Sequence, residues 1–423
     1  MADRYDGDTV RTASRETKPR GDTMTAMSPR MALLVAVGLV LAAFNLRPAI
    51  SGLGPLLEEV RAALAMSPTV AGLLTSAPAL CFAVFGALTP RLSRRWGPTA
   101  VLVAGMAAIT LGVALRPLAG STGVFLLTSA LALAGIAVSN GLMPVIVKRF
   151  FPDRVGTMTG LYSTGLALGT SGAAALTVPL TDALGGGWRT GLAIWAVPGA
   201  LAVACWMTVV VRGRAAPGGP AAAATPADGP PVRITRSPTA WALAVFFGLQ
   251  STGAYVTMGW MAQIYRDAGL SATTAGTLVA VAMGMGVPLA FVLPKLAARF
   301  SHQGPLITVL GLCGVASYIG LMTAPAAGAW AWALLLGIAN CAFPVVLTLI
   351  GLRARTGTGV SQLSAFVQST GYLLCIPGPL LVGVLYGSTG GWHAPLMFMT
   401  VLALAQVAVG IVAGRDRVIE DGG

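Results

Sequence analysis

Long apolar runs divide the chain, and each of them is long enough to cross a lipid bilayer as an α-helix. A transmembrane helix needs about 20 apolar residues, whereas strands of a membrane β-barrel are shorter and alternate polar with apolar residues. Only 10% of the residues are charged and 55% are hydrophobic, whereas soluble domains carry about 25% charged residues. We therefore predict an all-α membrane protein with twelve transmembrane helices, at residues 31–57, 69–90, 98–117, 123–147, 156–182, 189–211, 239–262, 273–294, 305–323, 328–352, 359–386 and 392–413.

The positions of the basic residues predict how these spans are oriented. Six of the 27 Lys and Arg residues precede the first span, and sixteen lie in alternate loops and the C-terminal tail. The opposite side holds only Arg61, Arg116, Arg189 and Arg266. Because basic residues concentrate in cytoplasmic loops, we predict a plasma-membrane protein with both termini in the cytoplasm. The net charge of +13 is then mostly a topology signal, and no nucleic-acid partner is expected.

A segment rich in Ala, Pro and Gly divides the chain into two halves of six spans each, and linkers of this composition are flexible. The predicted organisation is a cytoplasmic N-terminal tail at residues 1–30, a first half at 31–211, a cytoplasmic linker at 212–238, a second half at 239–413 and a cytoplasmic tail at 414–423.

The two halves resemble each other in sequence. The motif at Ser67–Gly72 (SPTVAG) returns at Ser271–Gly276 (SATTAG). Because each half has an even number of spans, both copies have the same orientation, as in transporters whose halves are related by an axis along the membrane normal. Further matches are Pro90-Arg91-Leu92 with Pro294-Lys295-Leu296, Asn140 and Pro144 with Asn340 and Pro344, Thr164-Gly165 with Thr370-Gly371, and Gly186-Gly187-Trp188 with Gly390-Gly391-Trp392.

Arg47 lies deep inside the first span, and it is the only charged residue that the sequence places firmly within a span. An arginine in the membrane costs about 2.5–3.5 kcal/mol on insertion scales and usually marks a substrate or ion path. No Asp or Glu lies in a span interior to neutralise it. A guanidinium suits planar acceptors such as carboxylate or nitro groups, so we predict a site for a small anionic or polar solute. The alternative is that Arg47 only caps backbone carbonyls.

Four segments resemble one branch of a known family. They are FNLRPAISGLGPLL (Phe44–Leu57), the segment Phe247–Trp260, QSTGYLLCIPGPLLVG (Gln368–Gly383) and, more weakly, YSTGLALG (Tyr162–Gly169). Over about residues 31–413 the chain resembles the major facilitator superfamily, in its branch of cyanate permeases and nitroimidazole transporters. The resemblance implies two pseudo-symmetric six-helix halves that alternate access to a central cavity lined by spans 1, 5, 7 and 11.

Polar and aromatic residues on these four spans are candidates for the substrate site beside Arg47. Each could instead form hydrogen bonds between helices, which contribute on average about 0.6 kcal/mol in a membrane protein. The candidates are Asn45 in span 1, Tyr162 in span 5, Gln250, Tyr255 and Trp260 in span 7, and Gln368 and Tyr372 in span 11.

The loop between spans 2 and 3 departs from the superfamily pattern. The resemblance places an aspartate of the cytoplasmic gate where this chain has Pro90, and a glycine where it has Ser93. Arg91, Arg94 and Arg95 are therefore candidates for a gating contact, with a pure topology role as the alternative.

Cysteines and histidines give no sign of a metal or cofactor site. The five cysteines all fall inside predicted spans, and both histidines lie in loops or at span ends. No nucleotide-binding loop is present, so we predict no cofactor and no enzymatic activity. We expect a monomeric secondary active or facilitative transporter in the lipid bilayer, with a cyanate-like or nitroimidazole-like solute as its small-molecule substrate. The alternative is a multidrug efflux transporter of the same fold, and the coupling ion is left open.

Overall fold

The computed structural model describes residues 28–214, 234–299 and 302–422, and within these ranges the chain forms helices and no β-strand. The predicted N-terminal tail at 1–30 and the predicted linker at 212–238 lie mostly outside the described residues. Their assignment to the cytoplasm therefore stays a prediction.

Twelve helical segments follow one another along the described chain, and five of them are interrupted. They are α1 (Pro29–Asn45, Pro48–Ser51 and Leu57–Ala63, with the 3₁₀ turn Gly54–Leu56), α2 (Pro68–Trp96), α3 (Pro98–Leu115, then the 3₁₀ turn Arg116–Leu118), α4 (Thr122–Phe150), α5 (Val155–Ala183), α6 (Trp188–Ala193 and Ala196–Arg214), α7 (Pro238–Asp267), α8 (Ala272–Gly284 and Gly286–Arg299), α9 (Gly304–Thr323), α10 (Ala329–Asn340 and Ala342–Leu352), α11 (Gly357–Cys375 and Pro377–Thr389) and α12 (His393–Ala413).

Ten of these segments are long and apolar enough to cross a membrane. The other two, α5 and α7, are 29 and 30 residues long, but Thr, Ser, Gln and Gly interrupt their apolar residues. Both pack directly against other helices: α5 lies against α1 and α8, and α7 lies against α11 and α12. A helix that is covered by its neighbours needs less apolar surface than one that faces lipid, which explains their lower hydropathy.

The repeated serine has the same role in both halves. Ser67 and Ser271 are the N-caps of α2 and α8, and each hydroxyl accepts a hydrogen bond from the backbone N–H three residues on, at 3.3 and 3.1 Å. Such a cap satisfies one of the free N–H groups at the start of a helix. The repeat detected in the sequence is therefore a repeated helix start.

The repeated glycine joins the two halves. A Cβ atom on Gly72 would lie 2.9 Å from the carbonyl oxygen of Leu380 in α11, and one on Gly276 would lie 2.5 Å from that of Ala174 in α5. A third close approach involves Gly54, where an added Cβ would lie 2.4 Å from the carbonyl oxygen of Met258 in α7. Only glycine permits backbones to come this close.

These approaches lie at one end of the helix bundle, which we call the closed end. An ion-pair cluster lies at the same end: Arg266 of α7 contacts Glu58 at 3.1 Å and Glu59 at 2.9 Å, both in α1. At the opposite, open end, which carries Arg91 and the start of α5, a Cβ on Gly86 or Gly156 would meet no atom within 4 Å.

The C-terminal segment is folded against the second half at its open end. The predicted tail at 414–423 contains the 3₁₀ turn Ile419–Gly422. The Ile419 N–H donates to the Arg353 carbonyl oxygen at 3.0 Å, and Arg353, which is 2% exposed, forms an ion pair with Asp416 at 3.0 Å. The Arg353 guanidinium also donates to the Gly414 carbonyl oxygen at 3.0 Å and to the Gln303 side chain.

Candidate functional site

The site is built on the interruption of α1 at Arg47. Pro48 has no N–H to donate to the carbonyl four residues earlier, so the helix ends at Asn45 and restarts at Pro48. Arg47 stands between the two pieces as the N-cap of Pro48–Ser51. Its carbonyl oxygen accepts a hydrogen bond from the Ser51 hydroxyl at 3.1 Å. The break leaves the Arg47 side chain partly buried between the two halves.

The Arg47 guanidinium meets two tyrosines of the second half. It lies near the Tyr255 hydroxyl in α7, and Tyr255 in turn lies near the Tyr372 hydroxyl in α11. Three of the predicted site residues, from α1, α7 and α11, are therefore brought together across the two halves.

Aromatic rings surround Tyr372. Its ring stacks on Phe82 of α2 with centroids 4.9 Å apart and an angle of 17° between the planes. Phe247 of α7 meets the same ring edge-on at 5.0 Å. Stacked and edge-on pairs are the favoured arrangements of aromatic side chains. The Tyr372 ring is therefore held between one ring of the first half and one ring of the second half.

None of the ion pairs within the described ranges includes Arg47. A guanidinium donates up to five hydrogen bonds and accepts none, and in a site of low dielectric its charge attracts anions more strongly than it would in water. Because Tyr255 and Tyr372 are neutral donors and acceptors, the cluster around Arg47 is a cationic centre. It can receive an anion or a strong hydrogen-bond acceptor.

Asn45 is hydrogen-bonded within the first half. The residue is 2% exposed, and its side-chain amide donates to the carbonyl oxygens of Leu41 at 2.7 Å and Pro198 of α6 at 3.0 Å. Its N–H groups therefore hold α1 to α6.

Gln250 is hydrogen-bonded within the second half. Pro344 leaves the Asn340 carbonyl of α10 without its helical N–H partner, and the Gln250 amide donates to that oxygen at 3.1 Å. The Gln250 carbonyl oxygen accepts from Gln406 of α12 at 2.6 Å. Both ends of this amide are used to join α7, α10 and α12.

Trp260 lies fully buried beside the closed end. Its indole N–H donates to the Thr75 hydroxyl of α2 at 3.1 Å, and its ring meets the ring of Trp392 at a centroid distance of 5.7 Å. The contact with Thr75 joins the halves where they are closed, and the contact with Trp392 lies within the second half.

The remaining predicted site residues are less buried. Tyr162 is partly buried and packs against the apolar core of the first half. Gln368 is partly buried and donates to the Ser364 hydroxyl one turn earlier, at 2.8 Å. Neither makes a hydrogen bond to Arg47 within the described chain.

Arg91, Arg94 and Arg95 are all exposed at the open end. Arg95 lies over the ring of Trp96 at 5.3 Å, and the ion pairs found among residues 28–214, 234–299 and 302–422 include none of the three. Their gating role stays a prediction.

Arg116 is a buried cation that the sequence did not reveal as such. The sequence places Arg116 at the extracellular end of a predicted span, where an exposed side chain is expected. In the structure its side chain is 2% exposed. Nη1 donates to the Ala49 carbonyl oxygen at 2.7 Å and Nε to the Ser129 hydroxyl at 2.9 Å. Its only signal in the sequence is its place before Pro117 at the end of an apolar run.

Within the described residues, no group of three His, Cys, Asp or Glu side chains is placed to hold a metal ion. The five cysteines are unpaired thiols.

Comparison with known proteins identifies the family. The family model described as Major Facilitator Superfamily matches residues 33–374 of this chain. The chain belongs to the major facilitator superfamily. Its sequence is 32% identical over 397 residues to the 2-nitroimidazole transporter of Escherichia coli (strain K12), covering 93% of this chain and 99% of that protein. It is 28% identical over 378 residues to the cyanate transport protein CynX of the same organism, covering 89% and 95%.

The fold of this major facilitator protein is also that of solved transporters. The crystal structure of the nucleoside transporter NupG is similar with a TM-score of 0.70 and 14% sequence identity, covering 90% of this chain and 99% of that chain. At this identity the similarity concerns the fold alone. The predicted all-α, two-half architecture and the predicted family branch are confirmed.

Proposed function

We propose that this multi-pass transporter carries a small anionic or polar solute, of the cyanate or nitroimidazole kind, through a central site built on Arg47. One observation carries the proposal. The guanidinium has no acidic ion-pair partner within the described chain, and it faces tyrosines of the opposite half. A partly buried cation without a counter-charge gains free energy when an anion binds.

The position of Arg47 between the halves supports alternating access. In parallel-repeat transporters the site lies near the midplane between the two halves, which rock against each other. The basic-residue distribution supports assigning the closed end to the outside and the open end to the cytoplasm. We therefore interpret this conformation as inward-facing, with a monomer as the transport unit in the plasma membrane and both termini in the cytoplasm.

The names of the two relatives support the choice of substrate class. Cyanate is a small anion and 2-nitroimidazole is a planar nitro compound, and a guanidinium fork can bind either kind of acceptor. The Tyr372 ring near Arg47 favours a flat solute. That aromatic ring is also the observation that favours the second candidate function, efflux of larger organic compounds.

Ligand-induced thermal stabilisation of the purified protein tests the proposal. The panel contains cyanate, nitrate, short carboxylates, 2-nitroimidazole and bulky organic cations, and the variants are Arg47→Gln and, as a matched control, the exposed Arg91→Gln. A hydrogen bond to a charged group contributes about 1.5–3 kcal/mol, so we expect Arg47→Gln to weaken binding by about 10- to 150-fold. Arg91→Gln should leave it unchanged.

The two candidate functions predict opposite results. Stabilisation by small anions or nitro compounds that disappears in Arg47→Gln supports the Arg47 site and identifies the compound for uptake into proteoliposomes. Stabilisation by organic cations that persists in Arg47→Gln overturns the proposal in favour of efflux of organic compounds.

A further inference from the structure

Arg116 is a fully buried arginine of the first half, and its charge, like that of Arg47, has no acidic partner among the described residues. The ion pairs within residues 28–214, 234–299 and 302–422 involve only Arg266 and Arg353. Arg116 donates hydrogen bonds from Nε to Ser129 and from Nη1 to Ala49. Phe125 lies under the guanidinium at 5.6 Å. These contacts position the group without neutralising it.

The guanidinium borders a narrow cavity at the contact between the halves. The cavity has a volume of about 20 Å³, room for roughly one water molecule. Its walls include Arg116, Leu53 and Thr75 from the first half and Tyr255 and Gly259 from the second. Tyr255 is the tyrosine that also meets Arg47. Tyr255 therefore lies near Arg47 and also lines the cavity that Arg116 borders.

This cavity lies between Arg47 and the closed end. Gly54, another of its lining residues, is the point where α1 packs against the Met258 carbonyl. Because the cavity has walls from both halves, separating the halves at the closed end must widen it. Arg116 then borders the widened cavity, between the closed end and Arg47.

We propose that Arg116 forms a second anion-binding subsite, which receives the anionic solute when the closed end opens and from which the solute passes to Arg47. This inference rests on the proposed transport of an anionic or polar solute through the Arg47 site. It adds a positive charge to the outer part of the path, so that anions are favoured before they reach the central site. The other role open to Arg116 is to cap the Ala49 carbonyl and nothing more.

Charge-selective labelling of a cysteine in the cavity tests the subsite and does not require the substrate to be known. Leu53→Cys is placed in the full-length protein together with Gly276→Leu, which separates the halves at the closed end, or with Arg266→Gln as a second means of opening it. The reagents are two methanethiosulfonates, the anionic sulfonatoethyl and the cationic trimethylammonioethyl compound. Mass spectrometry of the peptide containing residue 53 gives the rate at which each reagent modifies the cysteine. Pro55→Cys in the same background reports that the closed end is open.

We expect the sulfonate reagent to be favoured, and its rate relative to the cationic reagent to fall by about tenfold in Arg116→Gln, because one buried charge acts on the two reagents with opposite sign. Arg116→Lys should keep the ratio within about threefold, although a lysine cannot make both of the fork-shaped contacts. Arg189→Gln is the matched control. It removes an exposed arginine that donates to the neighbouring Pro117 carbonyl, and it should not change the ratio.

Two results would overturn the subsite. One is an unchanged ratio in Arg116→Gln, or an equal loss in Arg116→Lys, which would leave Arg116 only a capping role. The other is a Leu53→Cys that stays unreactive while Pro55→Cys reacts, which would remove the cavity from the path. The thermal stabilisation panel tests the Arg47 site separately, because its result does not depend on the labelling ratio.

Discussion

Arg266 joins the two halves of the transporter through Glu59: its Nη1 atom lies 2.9 Å from the Glu59 carboxylate. Nη2 of the same guanidinium contacts Glu58 at 3.1 Å, and Nη1 also donates to the Pro55 carbonyl oxygen at 3.2 Å. Glu58 and Glu59 belong to α1 and Arg266 to α7, the corresponding helices of the two repeats. The ion pairs can exist only while this end is closed.

Arg266→Gln should therefore shift the equilibrium toward a conformation that is open at this end. Partly exposed ion pairs contribute about 0.2–1 kcal/mol each, so we expect the loss of both pairs to raise the open population by about 2- to 30-fold. Pulsed electron paramagnetic resonance between spin labels at the exposed residues Ala62 and Thr273 measures the separation of the halves. An unchanged distance distribution would show that the close glycine contacts alone set this equilibrium, and Arg189→Gln serves as the charge control.

Gly54→Leu should prevent closure altogether. A side chain at residue 54 meets the Met258 carbonyl at 2.4 Å, and backbone cannot move aside as a flexible side chain can. We expect the same label pair to report only the separated state, and transport to stop because one of the two access states is lost. Gly86→Leu is the matched control, since a Cβ there meets no atom within 4 Å. Equal effects of both variants would contradict the role of close packing at the closed end.

Gln250→Ala should lower stability rather than affinity. It removes the donor to the Asn340 carbonyl and the acceptor for Gln406, and two hydrogen bonds inside a membrane bundle contribute about 1–2 kcal/mol. We expect a lower free energy of unfolding with a ligand dissociation constant within about threefold of the wild type. Gln368→Ala removes only a hydrogen bond within one helix. We expect this variant to lower ligand affinity more than the free energy of unfolding. A large loss of affinity with unchanged stability would make Gln250 a ligand-binding residue instead.

Arg353→Ala should destabilise the second half more than Asp416→Asn. Arg353 is buried, and its removal leaves the Gly414 carbonyl and the Gln303 side chain without this donor, at a cost of about 1–3 kcal/mol. Asp416 is 63% exposed, so neutralising it should cost at most about 1 kcal/mol. Chemical unfolding in detergent micelles checks the order, and an equal loss in both variants would mean that the ion pair is the main contribution.

The helices themselves could be predicted from the sequence because their boundaries are local signals. The predicted span at 98–117 agrees with Pro98–Leu118, and the predicted span at 392–413 agrees with His393–Ala413. The first span extends beyond its predicted end at residue 57 through Glu58 and Glu59 to Ala63, because a helix can continue past the apolar region once its polar residues leave the membrane. The interruption at Arg47 also has a local cause, because Pro48 has no N–H with which to continue the helix.

The hydrogen-bond partners could not be predicted, because they depend on packing between distant helices. The partner of Gln250 is a carbonyl released by Pro344, some ninety residues away along the chain. Arg116 was placed at the outer end of the predicted span 98–117, and its burial was missed because its side chain, and not its backbone, reaches into the bundle as far as Ala49. Sequence periodicity predicts which face of a helix is buried. The direction of a long side chain at a helix end depends instead on which hydrogen-bond partners the neighbouring helices offer.

Because no acidic residue within the described chain pairs with Arg47, the proposed anion site has an electrical consequence. An empty carrier presents a net positive site to the membrane field, whereas a carrier that holds a monovalent anion presents a neutral one. Moving one elementary charge across the membrane potential changes the free energy by about 2.3 kcal/mol per 100 mV. Voltage should therefore act on the empty return step and leave the loaded step nearly untouched, so that the resting potential of the cell decides how often the unloaded site faces the cytoplasm.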